Sequence, residues 1–179
     1  MLQHNGRLAN PLDPYTRAIK AISGKRKKTD EDLMEMMRLE ARGACWETTD
    51  GEVGIPNAAV WRSIYNAATA FKRGEDMKRA LGFADVTVPI SVNGERLACD
   101  EFVKDFDNID YRPVVIQRNR TMRARPIVRE WSSVHEFTLL EDVIDVDNLV
   151  PILERAGRLV GLGDWRPTYG TYVAEMATE

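Results

Sequence analysis

Gln117–Arg129, QRNRTMRARPIVR, carries five arginines, Arg118, Arg120, Arg123, Arg125 and Arg129, with no acidic residue among them. The β-branched run Arg112 to Gln117 enters this stretch, and Pro126 divides it from Ile127 and Val128. Further on, Trp131 to Leu140 alternates Val134, Glu136 and Thr138 with His135, Phe137 and Leu139, the two-residue period of a strand. Together these features predict a long antiparallel pair with the arginines at or near its connecting hairpin. On a strand Arg118 and Arg120 share a face, as do Arg123 and Arg125, so the guanidiniums stand in rows.

Outward from this hairpin the chain alternates strand and helix signals. Thr29 or Asp30 caps a helix over Glu31 to Arg42, with acids in its first turn and arginines late. Val60, Ile64, Ala67, Ala68 and Phe71 recur at helical spacing between Pro56 and Arg73, and Gly74 suits the end. Val86 to Val92 alternates as a strand, interrupted by Pro89 and closed by the turn pair Asn93-Gly94. Asp145 or Asp147 caps a helix with the apolar stripe Leu149, Ile152, Leu153, Ala156, Leu159 and Val160, and Tyr169 to Met176 returns as a strand. Leu2 to Leu8 reads as a short first strand. The class expected is α+β: an antiparallel sheet with helices on one face, ferredoxin-like or RRM-like with insertions. We expect one domain over 1–179, with 24–80 as a helical insertion and 111–130 as a projecting basic hairpin.

Composition excludes some partners. Of the 179 residues, 25 are Lys or Arg and 28 Asp or Glu, a net charge of −3, so no overall positive field draws the chain to nucleic acid or anionic lipid. Any polyanion site must be a local patch. The two cysteines, Cys45 and Cys99, are far apart in sequence and suggest neither a zinc ribbon nor a disulfide framework, which fits a reduced cytoplasm. No stretch approaches the about 20 apolar residues that span a bilayer, so no membrane partner is expected. Walker, nucleophile-elbow and metal-ligand spacings are missing, so no cofactor, metal or catalytic residue is expected. His135, on an expected strand, reads as a packed or surface residue.

Two resemblances bear on function. Through NGRLANPLDPYTRAIKAISGKRKKTDEDL, GEVGIPNAAVWRSIYNAA, VIQRNRTMRARPIVREWS and AGRLVGLGDWRPTYG, nearly the whole chain resembles a family of bacteriophage and prophage proteins with no established activity. The IPNAAVWRSIYNAA segment is similar in layout to the RAMP superfamily, the RRM-like subunits of CRISPR backbones, with Asn57 standing where that signature has glycine. A late helix followed by the glycine-rich turn Gly161 to Gly170 fits the same layout. This second resemblance implies a non-catalytic RNA-binding or single-strand-binding subunit that self-associates along a strand.

Guanidinium forks suit phosphates and their planes stack on bases. The expected function is therefore single-stranded nucleic-acid binding, RNA ahead of DNA, in the cytoplasm of a host cell. The expected contacts are Arg118, Arg120, Arg123, Arg125 and Arg129, joined by the loop Lys25, Arg26, Lys27 and Lys28, by Lys72 and Arg73, and by Trp165 and Arg166. Against this stands a solubilising hairpin whose arginines pair with Asp100, Asp105, Asp107 and Asp110. The alternative function is a phage interaction protein that inhibits a host defence complex of CRISPR type, or acts in particle assembly.

Overall fold

The computed structural model describes residues 1–116 and 118–177. In chain order its regular elements are α1 (Pro14–Ser23), α2 (Asp30–Ala44), β1 (Gly54–Pro56), α3 (Asn57–Thr69), α4 (Gly74–Ala80), β2 (Leu81–Gly82), β3 (Thr87–Pro89), β4 (Ser91–Val92), α5 (Cys99–Phe102), β5 (Ile109–Ile116), β6 (Asn119–Pro126), β7 (Trp131–Ser132), β8 (Thr138–Leu139) and α6 (Val146–Arg155). Helices α1, α2 and α6 start where a short polar side chain accepts a first-turn N–H. Asp13 takes that of Tyr15, Asp145 that of Asn148, and Thr29 that of Asp32, whose carboxylate returns the bond to the Thr29 N–H. Each such cap is worth about 1 kcal/mol.

Helices with antiparallel strands make this an α+β chain. Among the described residues the strands form four two-stranded couples: β1 with β3, β2 with β8, β4 with β7, and β5 with β6. The core runs through them all. Val60, Ile64, Ala67 and Ala68 of α3 meet Leu149 and Ile152 of α6 and Met77 and Ala80 of α4, and Phe102 is fully buried in the same cluster. Burial of each larger side chain contributes about 1.5–3 kcal/mol. Gln3, also fully buried, is satisfied: its amide donates to the Gly54 carbonyl, accepts from the Trp46 N–H, and its own N–H reaches the Pro126 carbonyl.

Several elements differ from expectation. The arginine stretch does not connect the long pair; it is one of its strands. β5 and β6 face each other from Ile109↔Pro126 to Ile116↔Asn119. This register carries Ile109, Ala124 and Pro126 into the core, which a one-residue slip would expel. Trp131 to Leu140 supplies only β7 and β8, which pair with β4 and β2. Leu2 to Leu8 is no strand, although Leu2 bridges Ile127 and Asp164. The third helix stops at Thr69, and Gly74 opens the next one. Tyr169 to Met176 pairs with no strand; its backbone lies instead on the end of the last helix, where Tyr172 N–H donates to Gly157 O at 3.0 Å. Glycine permits that approach, since a Cβ at position 157 would lie 2.2 Å from the Tyr172 carbonyl oxygen.

Cys45 and Cys99 are also closer than their sequence separation suggests. Both are fully buried free thiols, with their Sγ atoms 2.8 Å apart. The shared hydrogen bond and burial push the Cys45 thiol pKa well above its ordinary value. No helix among the described residues is long and apolar enough to cross a membrane.

Candidate nucleic-acid interface

Strand alternation sorts the hairpin's side chains. Asp110, Arg112, Arg123 and Arg125 stand on one face, because Asp110 is opposite Arg125 and Arg112 opposite Arg123. Arg120 lies on the other face, opposite Val115, with Met122 next to it and Tyr111 further towards the base on the same face. Arg118 belongs to neither row. It sits in the turn with φ 69°, a left-handed conformation uncommon outside glycine. The expected sharing of a face by Arg118 and Arg120 is therefore lost to the turn, whereas Arg123 and Arg125 do share one.

The charged face is tied inward. Arg123 donates to Glu40 of α2 at 2.6 Å, and the same carboxylate accepts the Ala124 backbone N–H at 3.0 Å, covering that edge of β6. Arg125 pairs with Asp164 at 3.1 Å and is only 11% exposed. Arg112 is bound by Asp110 and by the Tyr169 hydroxyl, and its guanidinium lies 4.8 Å from the Trp165 ring centroid and 4.7 Å from that of Tyr169. The bond to Asp110 raises the Arg112 pKa further above its ordinary value. Arg129 donates to the Asp107 carbonyl oxygen at 2.6 Å. So Arg123, Arg125 and Arg129 are engaged, but by Glu40, Asp164 and a backbone oxygen rather than by the acidic carboxylates of residues 100–110. Asp110 holds Arg112, and Asp100 holds Arg42.

The tip is different. Arg118 and Arg120 are exposed, and their side chains make no hydrogen bond or ion pair among the described residues. On the face that carries Arg120, Val115 is 70% exposed, Met122 41% and, nearer the base, Tyr111 43%, an apolar surface on a strand pair that extends about 26 Å at about 3.3 Å per residue.

A cavity of about 760 Å³ opens at the base of the hairpin, lined by His4, Leu8, Glu40, Arg123, Arg125 and Trp165. Arg125 Nη1 is the one buried side-chain polar atom without a partner among the described residues.

Compared with protein-family models, curated proteins and solved structures, the chain matches none.

The remaining expected contacts are scattered. Lys25 pairs with Asp32 at 2.5 Å and Lys28 donates to the Lys25 carbonyl, while Arg26 and Lys27 are exposed. Lys72 is exposed, and Arg73 lies 3.9 Å from Asp76 on α4. No described hydrogen bond or ion pair links these groups to the hairpin. Trp165 does join it, through Arg112, and Asp164 takes Arg125, while Arg166 is exposed. Sequence reading missed Arg112 and Glu40. The cross-strand offset between Arg112 and Arg123 was the one available signal, and it emerges only once the register of β5 on β6 is fixed. Among the described residues, no group of three or more potential metal ligands is gathered.

His135 lies elsewhere, and burial lowers its pKa below the ordinary 6.5. The unfolded chain then binds an additional proton as pH falls through about 6.5, so stability is lost on the acid side until pH passes below the folded value, and is complete above 6.5. His135→Gln should flatten the stability profile between pH 7 and pH 5 in urea titrations. A slope unchanged from the parent protein would place its origin in other groups.

Proposed function

We propose that this protein binds single-stranded nucleic acid, RNA ahead of DNA, with the tip of the β5–β6 hairpin, in the manner of the ferredoxin-like, RRM-like subunits that its sequence resembles. The observation that carries the reading is the separation of the arginines: those at the base are held by Glu40 and Asp164, while Arg118 and Arg120 stand exposed at the tip. Phosphates would take Arg118 and Arg120, and bases would lie on Tyr111, Val115 and Met122. Arg123 and Arg125 then fix the hairpin's direction, and Trp165 stiffens its base through Arg112.

Fluorescence anisotropy of a labelled single-stranded RNA tests this. Arg118→Ala with Arg120→Ala should weaken binding by about 30-fold, from about 1 kcal/mol at each contact. The salt slope should fall by about 1.4 for two lost phosphate contacts. Unchanged affinity and slope in a folded double variant would sink the proposal. A partner that instead survives nuclease digestion in a pull-down would favour the protein-binding alternative.

A further inference from the structure

His135 belongs to a chain of hydrogen bonds that the proposed nucleic-acid contacts do not use. Asn57, the first residue of α3, is 3% exposed and fixed by its own amide: Nδ2 donates to the Ala84 carbonyl at 2.9 Å. That bond turns Oδ1 towards His135 Nδ1, 2.7 Å away. An amide oxygen only accepts, so Nδ1 must carry the proton and Nε2 presents its lone pair. Ser133 Oγ lies 2.9 Å from Nε2, and its hydroxyl is the donor of that bond. Each role follows from the one before it.

The three residues thus satisfy the two tests for an activated nucleophile: a hydroxyl bonded to a base, and a base oriented by a third group. Ser133 and His135 line a cavity of about 540 Å³ whose walls include Ile64, Phe83, Phe137, Leu153 and Tyr172.

We infer that Ser133 is an acyl-accepting nucleophile, with His135 as its general base and Asn57 as the positioning residue, acting on esters or thioesters with a small apolar acyl group. Ser133 Oγ bonds to the carbonyl carbon while its proton passes to His135 Nε2. The bond to the leaving alcohol or thiol then breaks, and that group departs with the proton. Water next attacks the acyl-serine and gives a proton to the same nitrogen; the acid leaves, and Ser133 regains its hydrogen. No electrons are exchanged and no co-reactant other than water is consumed. The apolar cavity selects the acyl chain, and a neutral His135 keeps its lone pair at pH 7.

The full chain would be treated with a biotinylated fluorophosphonate and digested, and the labelled peptide located by mass spectrometry. Hydrolysis of p-nitrophenyl butyrate would be followed in parallel. Label is expected on Ser133, and Ser133→Ala should lose both label and turnover. His135→Ala, with its fold verified by circular dichroism, should lower labelling and kcat at least about 100-fold, the usual scale of a lost general base. Asn57→Ala releases the ring to the other tautomer and should lower kcat at nearly constant KM; the opposite split would overturn its positioning role. Absence of label from Ser133, or turnover equal in Ser133→Ala and the parent protein, would overturn the proposal. Both arms are independent of the oligonucleotide measurements, so either reading can fail alone.

Discussion

Gly170→Ala is expected to lower stability by about 3 kcal/mol or more, a fall in melting temperature of about 6–12 °C for a chain of this size. Gly170 has φ 83°, and a Cβ there would lie 1.8 Å from the Leu162 carbonyl oxygen. Leu162 N–H also donates to Gly170 O at 2.8 Å, so the two backbones are clamped together and no side-chain rotation relieves the clash. Relief requires parting the ends of the loop that carries Asp164, Trp165 and Tyr169 against the hairpin. Gly94→Ala supplies the comparison. Its φ is 87°, but an added Cβ meets nothing within 4 Å, so it should cost only the backbone strain of about 1–2 kcal/mol. Thermal melts of the two variants check the argument; equal losses would show that the close approach at Gly170 adds nothing.

Arg42→Ala is the second large expected loss, about 2–4 kcal/mol in urea titration. The Arg42 side chain is 8% exposed, bonds Glu47 at 2.5 and 3.1 Å and Asp100 at 2.6 Å, and lies 5.3 Å from the Tyr15 ring centroid. Burial opposes its charge, yet the bonds to Glu47 and Asp100 outweigh that and raise its pKa further above the ordinary value. Truncation removes the stem's packing and leaves Glu47 with Arg7 alone at 3.3 Å. Asp100 is mostly exposed and regains water, which keeps the loss below that of a fully buried pair. Arg42→Met restores the packing without the bonds and should recover part of the difference. A loss under about 0.5 kcal/mol in Arg42→Ala would remove Arg42 from the list of residues that join α2 to α5.

Local chemistry made some of this legible in the sequence. Thr29 and Asp145 cap helices as expected, Asn93-Gly94 turns between Val92 and Glu95, and the apolar spacing of α3 and α6 marks faces that are buried. What failed was pairing at a distance. The alternation of Trp131 to Leu140 suits a strand, but only the register of Ile109, Ala124 and Pro126 decides which segment β5 takes, and that register depends on core space contributed by α2. The arginine stretch was visible as a charge pattern. Its division into tied and exposed members was not, because Glu40 and Asp164 lie 83 and 39 residues from Arg123 and Arg125. His135 was passed over because its partner Asn57 is 78 residues away.

The touching sulfurs of Cys45 and Cys99 have a practical consequence. With both thiols fully enclosed and no other cysteine in the chain, a thiol-specific alkylating reagent can modify this protein only while the junction between the end of α2 and α5 is open. Pulsed alkylation read by mass would therefore time that opening in the unaltered molecule. Ligands of the hairpin or the apolar cavity would register as protection from the reagent, without a dye or an engineered probe.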